Sequence, residues 1–181
     1  SAALSMEFFE RDQQAALDDY LRGVASEDDF RKATSRTTGN YPEGHRALVE
    51  TARRAGVPVY AANAPNRYVR LSRLQGYDRL RELSPEQRRL FAVPAALSEG
   101  RYRDKFFELM GGMAGHGSGN AEGSTLSEEE REAKRREAEE KVLSFFRSQN
   151  VWDATMADTI ARALDDGRAP VVQIVGQFHT D

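Results

Sequence analysis

Pro170-Val-Val-Gln-Ile-Val-Gly-Gln-Phe-His-Thr-Asp181 is the stretch on which the reading of this chain turns. Val171 to Val175 is mostly apolar and β-branched, the composition of a strand covered on both faces in a parallel sheet. Gly176 lets the backbone turn or come close to a neighbour, and His179 follows it in a Gly-x-x-His arrangement. Ligands of open α/β folds collect beyond the carboxyl ends of strands, so an imidazole there is a site candidate. Two readings stay open. His179 either bonds a loop or works as a titrating or metal-binding group.

The other end of the chain repeats the chemistry. Ala2-Ala-Leu-Ser-Met-Glu-Phe-Phe-Glu-Arg-Asp12 reads as a strand running into a helix, with Glu7 where the strand is expected to end. A carboxylate suits a buried strand end poorly unless it is paired or ligating. The chain starts within a strand without an initiator Met and stops soon after His179, so it reads as a fragment or processed product, truncated at both ends.

Composition limits the function classes. At 181 residues and 39% apolar content the chain is long enough for one domain with its own core. A net charge of −3 gives no reason to expect nucleic-acid binding. Of its 26 basic residues 22 are arginine, which suits carboxylate or phosphate recognition and equally a GC-rich genome. With no cysteine there is no disulfide, thiolate metal site or cysteine nucleophile. No apolar run reaches the ~18 residues that a membrane-spanning helix needs.

Along the chain, strand and helix patterns alternate, which argues an α/β fold with a mainly parallel sheet and crossover helices. Arg11 to Val24 has helical spacing through Ala15, Ala16, Tyr20 and Leu21, and Ser26 caps the next helix. A helix through Ala47, Leu48, Thr51 and Ala52 closes at Gly56, and Val57 to Ala62 is the second strand. Asn63-Ala-Pro-Asn-Arg67 then turns into a helix from Tyr68 to Leu74 that Gly76 closes. Arg67 and Arg70 fall in the first turn after a strand end, near the edge that carries Glu7 and His179. Ser84-Pro-Glu-Gln87 is a capping box, and residues 78–148 read as a helical insertion. Within it, 111–124 is a glycine-rich loop, either a lid in which His116 closes over a cofactor or a flexible connection in which it is inert. Ser127 to Lys141 reads as a solvated helix continuing into a packed one, with Phe145, Phe146, Val151, Trp152, Met156, Ile160 and Leu164 as a core-facing stripe.

Four ordered motifs carry a resemblance. Glu7-Phe-Phe-Glu-Arg-Asp12, Val57-Pro-Val-Tyr-Ala-Ala-Asn-Ala-Pro-Asn-Arg-Tyr-Val-Arg70, Gln149-Asn-Val-Trp-Asp-Ala-Thr-Met-Ala157 and Gly176-Gln-Phe-His179 together resemble the ChaN-like haem-binding, iron-regulated family, related to Tiki proteases and erythromycin esterases. The resemblance implies a first strand bearing Gly-Glu-x-His. No such motif precedes Glu7, so the first strand of the family pattern is expected to be absent. Carried over are Glu7, Asn63, Arg67, Arg70 and His179.

The resemblance implies a haem-binding protein of bacterial iron acquisition in the cell envelope, periplasmic or lipid-anchored, with haem as cofactor and a homodimer holding haem between two protomers as one arrangement. Haem needs an axial ligand, an apolar slot and cations for its propionates. Tyr41, Tyr60, Tyr68, Tyr77, Tyr102, His45, His116 and His179 are the possible ligands, with Tyr41 and Tyr68 preferred, and Arg67 and Arg70 suit the propionates. The alternative is a metal-dependent hydrolase of the Tiki type. There Glu7 and His179 bind a divalent metal or activate water, and Arg67 or Arg70 stabilises the oxyanion. One carboxylate and one imidazole are too few for a closed metal site.

Overall fold

A computed structural model describes residues 1–116 and 127–180, apart from the side chains of 112–116. Strand β1 (Ala3–Glu10) leads through a 3-10 turn (Arg11–Gln13) into α1 (Gln14–Leu21), α2 (Glu27–Ala33) and α3 (Glu43–Ala55), and then β2 (Val59–Asn63). Helices α4 (Asn66–Arg81), α5 (Pro85–Arg88), α6 (Arg101–His116) and α7 (Glu128–Asp165) follow, then β3 (Val171–Ile174) and a 3-10 turn (Gln177–His179). The sheet has order β2-β1-β3, with both pairings parallel. The fold is α/β, as the alternating pattern predicts.

The central strand is therefore β1, and it is β1 whose residues are buried on both faces. Leu4, Met6 and Phe9 pack with Leu17 and Tyr20 of α1, Phe30 of α2 and Val49 and Ala52 of α3. Helix α7 covers the other face, where Gln173 reaches Met156 at 3.5 Å and Tyr60 reaches Asp166 at 3.4 Å. The expectation that β3 is covered on both faces fails, because β3 is an edge strand and its Val172 is 51% exposed. The edge of β2 is closed by a side chain. Gln14 accepts from Ala61 N at 2.7 Å and donates to Val59 O at 3.0 Å, standing in for a neighbouring strand and blunting an edge that could pair with another chain.

Capping follows the sequence. Ser26, Ser84 and Ser127 each cap a helix through a complete capping box, with Pro85 at the first helical position of α5. Four boundaries differ from expectation. The helix predicted from Arg11 begins as a 3-10 turn and ends at Leu21. Gly76 does not close α4; at φ 77° and ψ −179°, a region reserved for glycine, it breaks the helical backbone, and helix resumes to Arg81. Leu164, expected in the core stripe of α7, is 51% exposed. Residues 111–116 of the expected glycine-rich loop are the last turns of α6, while 117–124 lie outside the described residues.

The segment 78–148 is helical through the end of α4, α5, α6 and the first half of α7. It is continuous with the rest, because the same α7 runs on to contact all three strands. A second core joins Ala64, Tyr68 and Val69 to Leu80, Phe91 and Val151. No helix among the described residues is long and apolar enough to cross a membrane.

Phe9 is fully buried in the first core. Phe9→Ala is expected to destabilise the chain by about 3–5 kcal/mol in urea unfolding, because a cavity remains where the ring was. Val172→Thr is expected to change stability by less than about 0.5 kcal/mol at its exposed edge position.

Candidate functional site

The ladder between β1 and β3 ends at the pair Met6 and Ile174, although β1 itself runs on to Glu10. Glu7 is thus not at the end of its strand, as the sequence suggested, but it is the first residue past the ladder. The chain order β2-β1-β3 reverses direction between β1 and β3, the switch point at which α/β sheets open a crevice at their carboxyl ends. Glu7 and the turn after β3 sit on either side of it.

Gly176 comes up against Glu7. Its N–H donates to Glu7 Oε2 at 2.5 Å, and a Cβ built on Gly176 would lie 3.3 Å from the same oxygen. A glycine is what lets the backbone come this close. The turn that follows drops His179 into a pocket of carboxylates. Its Nε2 lies 3.2 Å from Glu7 Oε1 and its Nδ1 lies 2.6 Å from Asp153 Oδ1. Only 8% of the His179 side chain is exposed. Asp153 also accepts from the hydroxyl of Tyr102 at 2.7 Å. Gln149 lies 3.0 Å from Nδ1 and donates to Phe178 O at 2.8 Å, and the Trp152 ring meets the imidazole edge to face.

These contacts decide the protonation state. Burial works against a charge on His179, but the hydrogen bonds to Asp153 and Glu7 outweigh it and raise the imidazole from 6.5 to about 9. Its bond to His179 and, behind the opposing effect of burial, the Gly176 N–H lower the carboxyl of Glu7. At neutral pH His179 is therefore an imidazolium with both ring N–H groups donating. In that state both ring nitrogens carry protons, and a metal or a proton-transfer step would first have to displace one of them. Among the described residues no group of three or more acidic, histidine or cysteine side chains has the placement to hold a metal ion.

Beside this cluster opens a cleft of about 550 Å³, within the ~300–1,000 Å³ range of small-molecule sites. Each helix contributes one stripe at i, i+3, i+4 spacing: Asn66, Val69, Arg70 and Arg73 from α4, Phe106, Leu109 and Met110 from α6, Phe145, Ser148, Gln149 and Trp152 from α7. Phe178 and His179 close one end. Its walls are apolar and aromatic. No carboxylate lines it among the described residues, while Arg70 makes no ion pair there and the Arg73 guanidinium lies only over the Phe145 ring, 4.9 Å from its centroid.

The structure thus brings together Glu7 and His179, and it brings Arg70 to the cleft beside them. Arg67 does not join them: it pairs with Asp12 at 2.6 Å, about a quarter turn off the α4 stripe. Asn63 uses its side-chain oxygen on the N–H of Ala64. Neither preferred tyrosine lines the cleft. Tyr41 is buried among Phe8, Phe9 and Phe30, where burial pushes its phenol up and disfavours a phenolate, and Tyr68 packs on Phe91. Tyr60, Tyr77 and His45 are likewise engaged elsewhere, His45 stacked on Phe8 at 4.3 Å. His116 ends α6, and its side chain lies outside the described residues. Sequence reasoning missed Asp153, Gln149, Trp152 and Arg73 as site residues. The signal was there in the spacing of Gln149, Trp152 and Asp153 at i, i+3, i+4 on one helix face.

A histidine whose value is raised on folding adds stability that is complete below the unfolded value of 6.5 and is lost as pH rises through about 9. The stability difference between wild type and His179→Gln is therefore expected to shrink between pH 6 and pH 9.5 in urea unfolding. An unchanged difference would mean that the imidazole is not charged in the folded state.

A family model described as haem-binding uptake, Tiki superfamily, ChaN, matches residues 1–181. No curated protein and no solved structure matches the chain. With the whole length covered, the chain belongs to the ChaN haem-binding uptake family of the Tiki superfamily.

Proposed function

We propose that the chain binds haem in the cleft between α4, α6 and α7. The observation that carries this reading is an apolar, aromatic slot lined by two arginines without a carboxylate, which suits a flat apolar ring with two acidic side groups. Trp152, Phe145, Phe106 and Leu109 would take the ring, and Arg70 and Arg73 would take the propionates by charge-assisted hydrogen bonds. His179 adds positive charge at the end of the same cleft, with Glu7 and Asp153 balancing it from behind.

The fit to haem is good in volume, apolar lining and charge and poor in ligation. The described lining holds no tyrosine, and both nitrogens of its only histidine are engaged. When bound, haem would supply an iron centre, and the residues named here bind and orient the ring around it. The reading extends to iron or haem uptake in the cell envelope and to the homodimer that the resemblance implies. The hydrolase reading has Glu7 and His179 together, but a base at His179 would first have to lose one of the protons shared with its two carboxylate partners.

Arg70→Ala/Arg73→Ala is expected to weaken haemin binding by about 100-fold or more, since two charge-assisted hydrogen bonds of about 1.5–3 kcal/mol net each are lost. Leu109→Glu places a carboxylate on a wall residue that is already 44% exposed, so it should abolish saturable binding while leaving the thermal midpoint nearly unchanged. Absorbance titration with haemin checks both. Unsaturable binding by wild type, or an unaffected Arg70→Ala/Arg73→Ala variant, would overturn the assignment of this cleft.

A further inference from the structure

Resting on the haem-binding reading above, we infer that the cleft selects a porphyrin by its ring and its two propionates and not by its metal, so that metal-free protoporphyrin and haem bind the same place with similar affinity. The ligand class is a dicarboxylate tetrapyrrole, with or without iron.

The contacts available in the cleft divide unevenly. For the ring there are aromatic faces from two helices, with Trp152 and Phe145 two turns apart on the same stripe of α7. For the propionates there are Arg70 and Arg73, one turn apart on α4 and neither committed to a carboxylate. For an iron atom the described lining offers little. His179 donates from Nε2 to Glu7 and from Nδ1 to Asp153, and freeing either nitrogen breaks a charge-assisted bond, leaving Glu7 with only the Gly176 N–H or Asp153 with only the Tyr102 hydroxyl. Met110 lines the cleft with a thioether, a haem ligand that favours ferrous over ferric iron and is therefore a weak anchor for haemin. Binding built from stacking and charge pairing is indifferent to what sits at the centre of the macrocycle.

The chain supplies its own reporter. Trp152 is the single tryptophan and it lines the cleft, so its emission reads occupancy by any porphyrin. The full chain is titrated with protoporphyrin IX, zinc protoporphyrin and haemin, following tryptophan quenching. The three dissociation constants are expected to agree within about threefold, and Arg70→Ala/Arg73→Ala to weaken all three by a common factor. In His179→Gln the haemin absorbance band is expected to keep its wild-type position. Haemin binding more than about tenfold tighter than protoporphyrin IX would overturn the inference and leave the haem reading standing. So would a haemin band moved by His179→Gln or His116→Ala, either of which would name an iron ligand. Failure of all three porphyrins to quench Trp152 would overturn both.

Discussion

The imidazolium of His179 between Glu7 and Asp153 is the interaction on which the site depends. Glu7 comes from the central strand, Asp153 from the middle of the long helix, and His179 from the turn after the last strand. One small ring therefore ties the start of the chain at Glu7 to Asp153 and His179, near its other end. Either carboxylate alone beside a half-buried histidine would leave the balance against burial uncertain. Two of them carry the imidazole well above its ordinary value and keep the ring charged where a neutral ring would otherwise be preferred. The cost of burying the charge is offset locally, and the final turn gains a fixed position that an edge strand of four residues could not give it.

The cleft has a different origin. Three helices from distant parts of the chain meet by their stripes, and their apolar residues remain uncovered because the fourth side is only the short turn bearing Phe178. Electrostatics then separate by depth. Carboxylates gather behind His179 and none among the described residues lines the cleft, so Arg70 and Arg73 have no acidic partner among those residues. Elsewhere the chain pairs its guanidiniums freely: Arg11 with Asp158, Arg46 with Glu27, Arg67 with Asp12. Arg22, Arg36, Arg53 and Arg103 also make no ion pair among the described residues, so what sets this cleft apart is the apolar and aromatic wall beside its arginines.

Much of the fold was legible because it rests on local rules. Ser26, Ser84 and Ser127 announced their helices through side chains three residues away, and the alternation of strand and helix gave the parallel sheet. Gly176 and His179 were legible as a close approach and a site histidine. The pairing partner was only half legible. Glu7 stood out as a charge in an apolar strand, whereas Asp153 lay in a helix already explained by its apolar stripe. Which strand would be central was not legible, since β-branched Val171 to Ile174 looks more buried than Ser5 and Glu7 of β1, yet order in the sheet is set by the crossovers. Arg67 and Arg70 looked equivalent in sequence. A quarter turn on α4 sends one to Asp12 and the other to the cleft.

The tyrosines show why residue type is weaker evidence than place. A phenol is a reasonable iron ligand only where its oxygen can lose a proton and reach a metal. Tyr41 stands in an aromatic cluster where burial opposes ionisation, and Tyr68 is covered by Phe91. Tyr102 is near the site, but it donates to Asp153 and so reinforces the carboxylate that holds His179. The aromatic residues nearest the cleft thus serve either as its walls or as support for the imidazolium beside it. Donor groups that would suit a metal are spent on making that charge stable, and the surface left for a ligand is apolar ring and guanidinium. On the haem-binding proposal, a site so constituted would recognise its ligand by its outline and its acids.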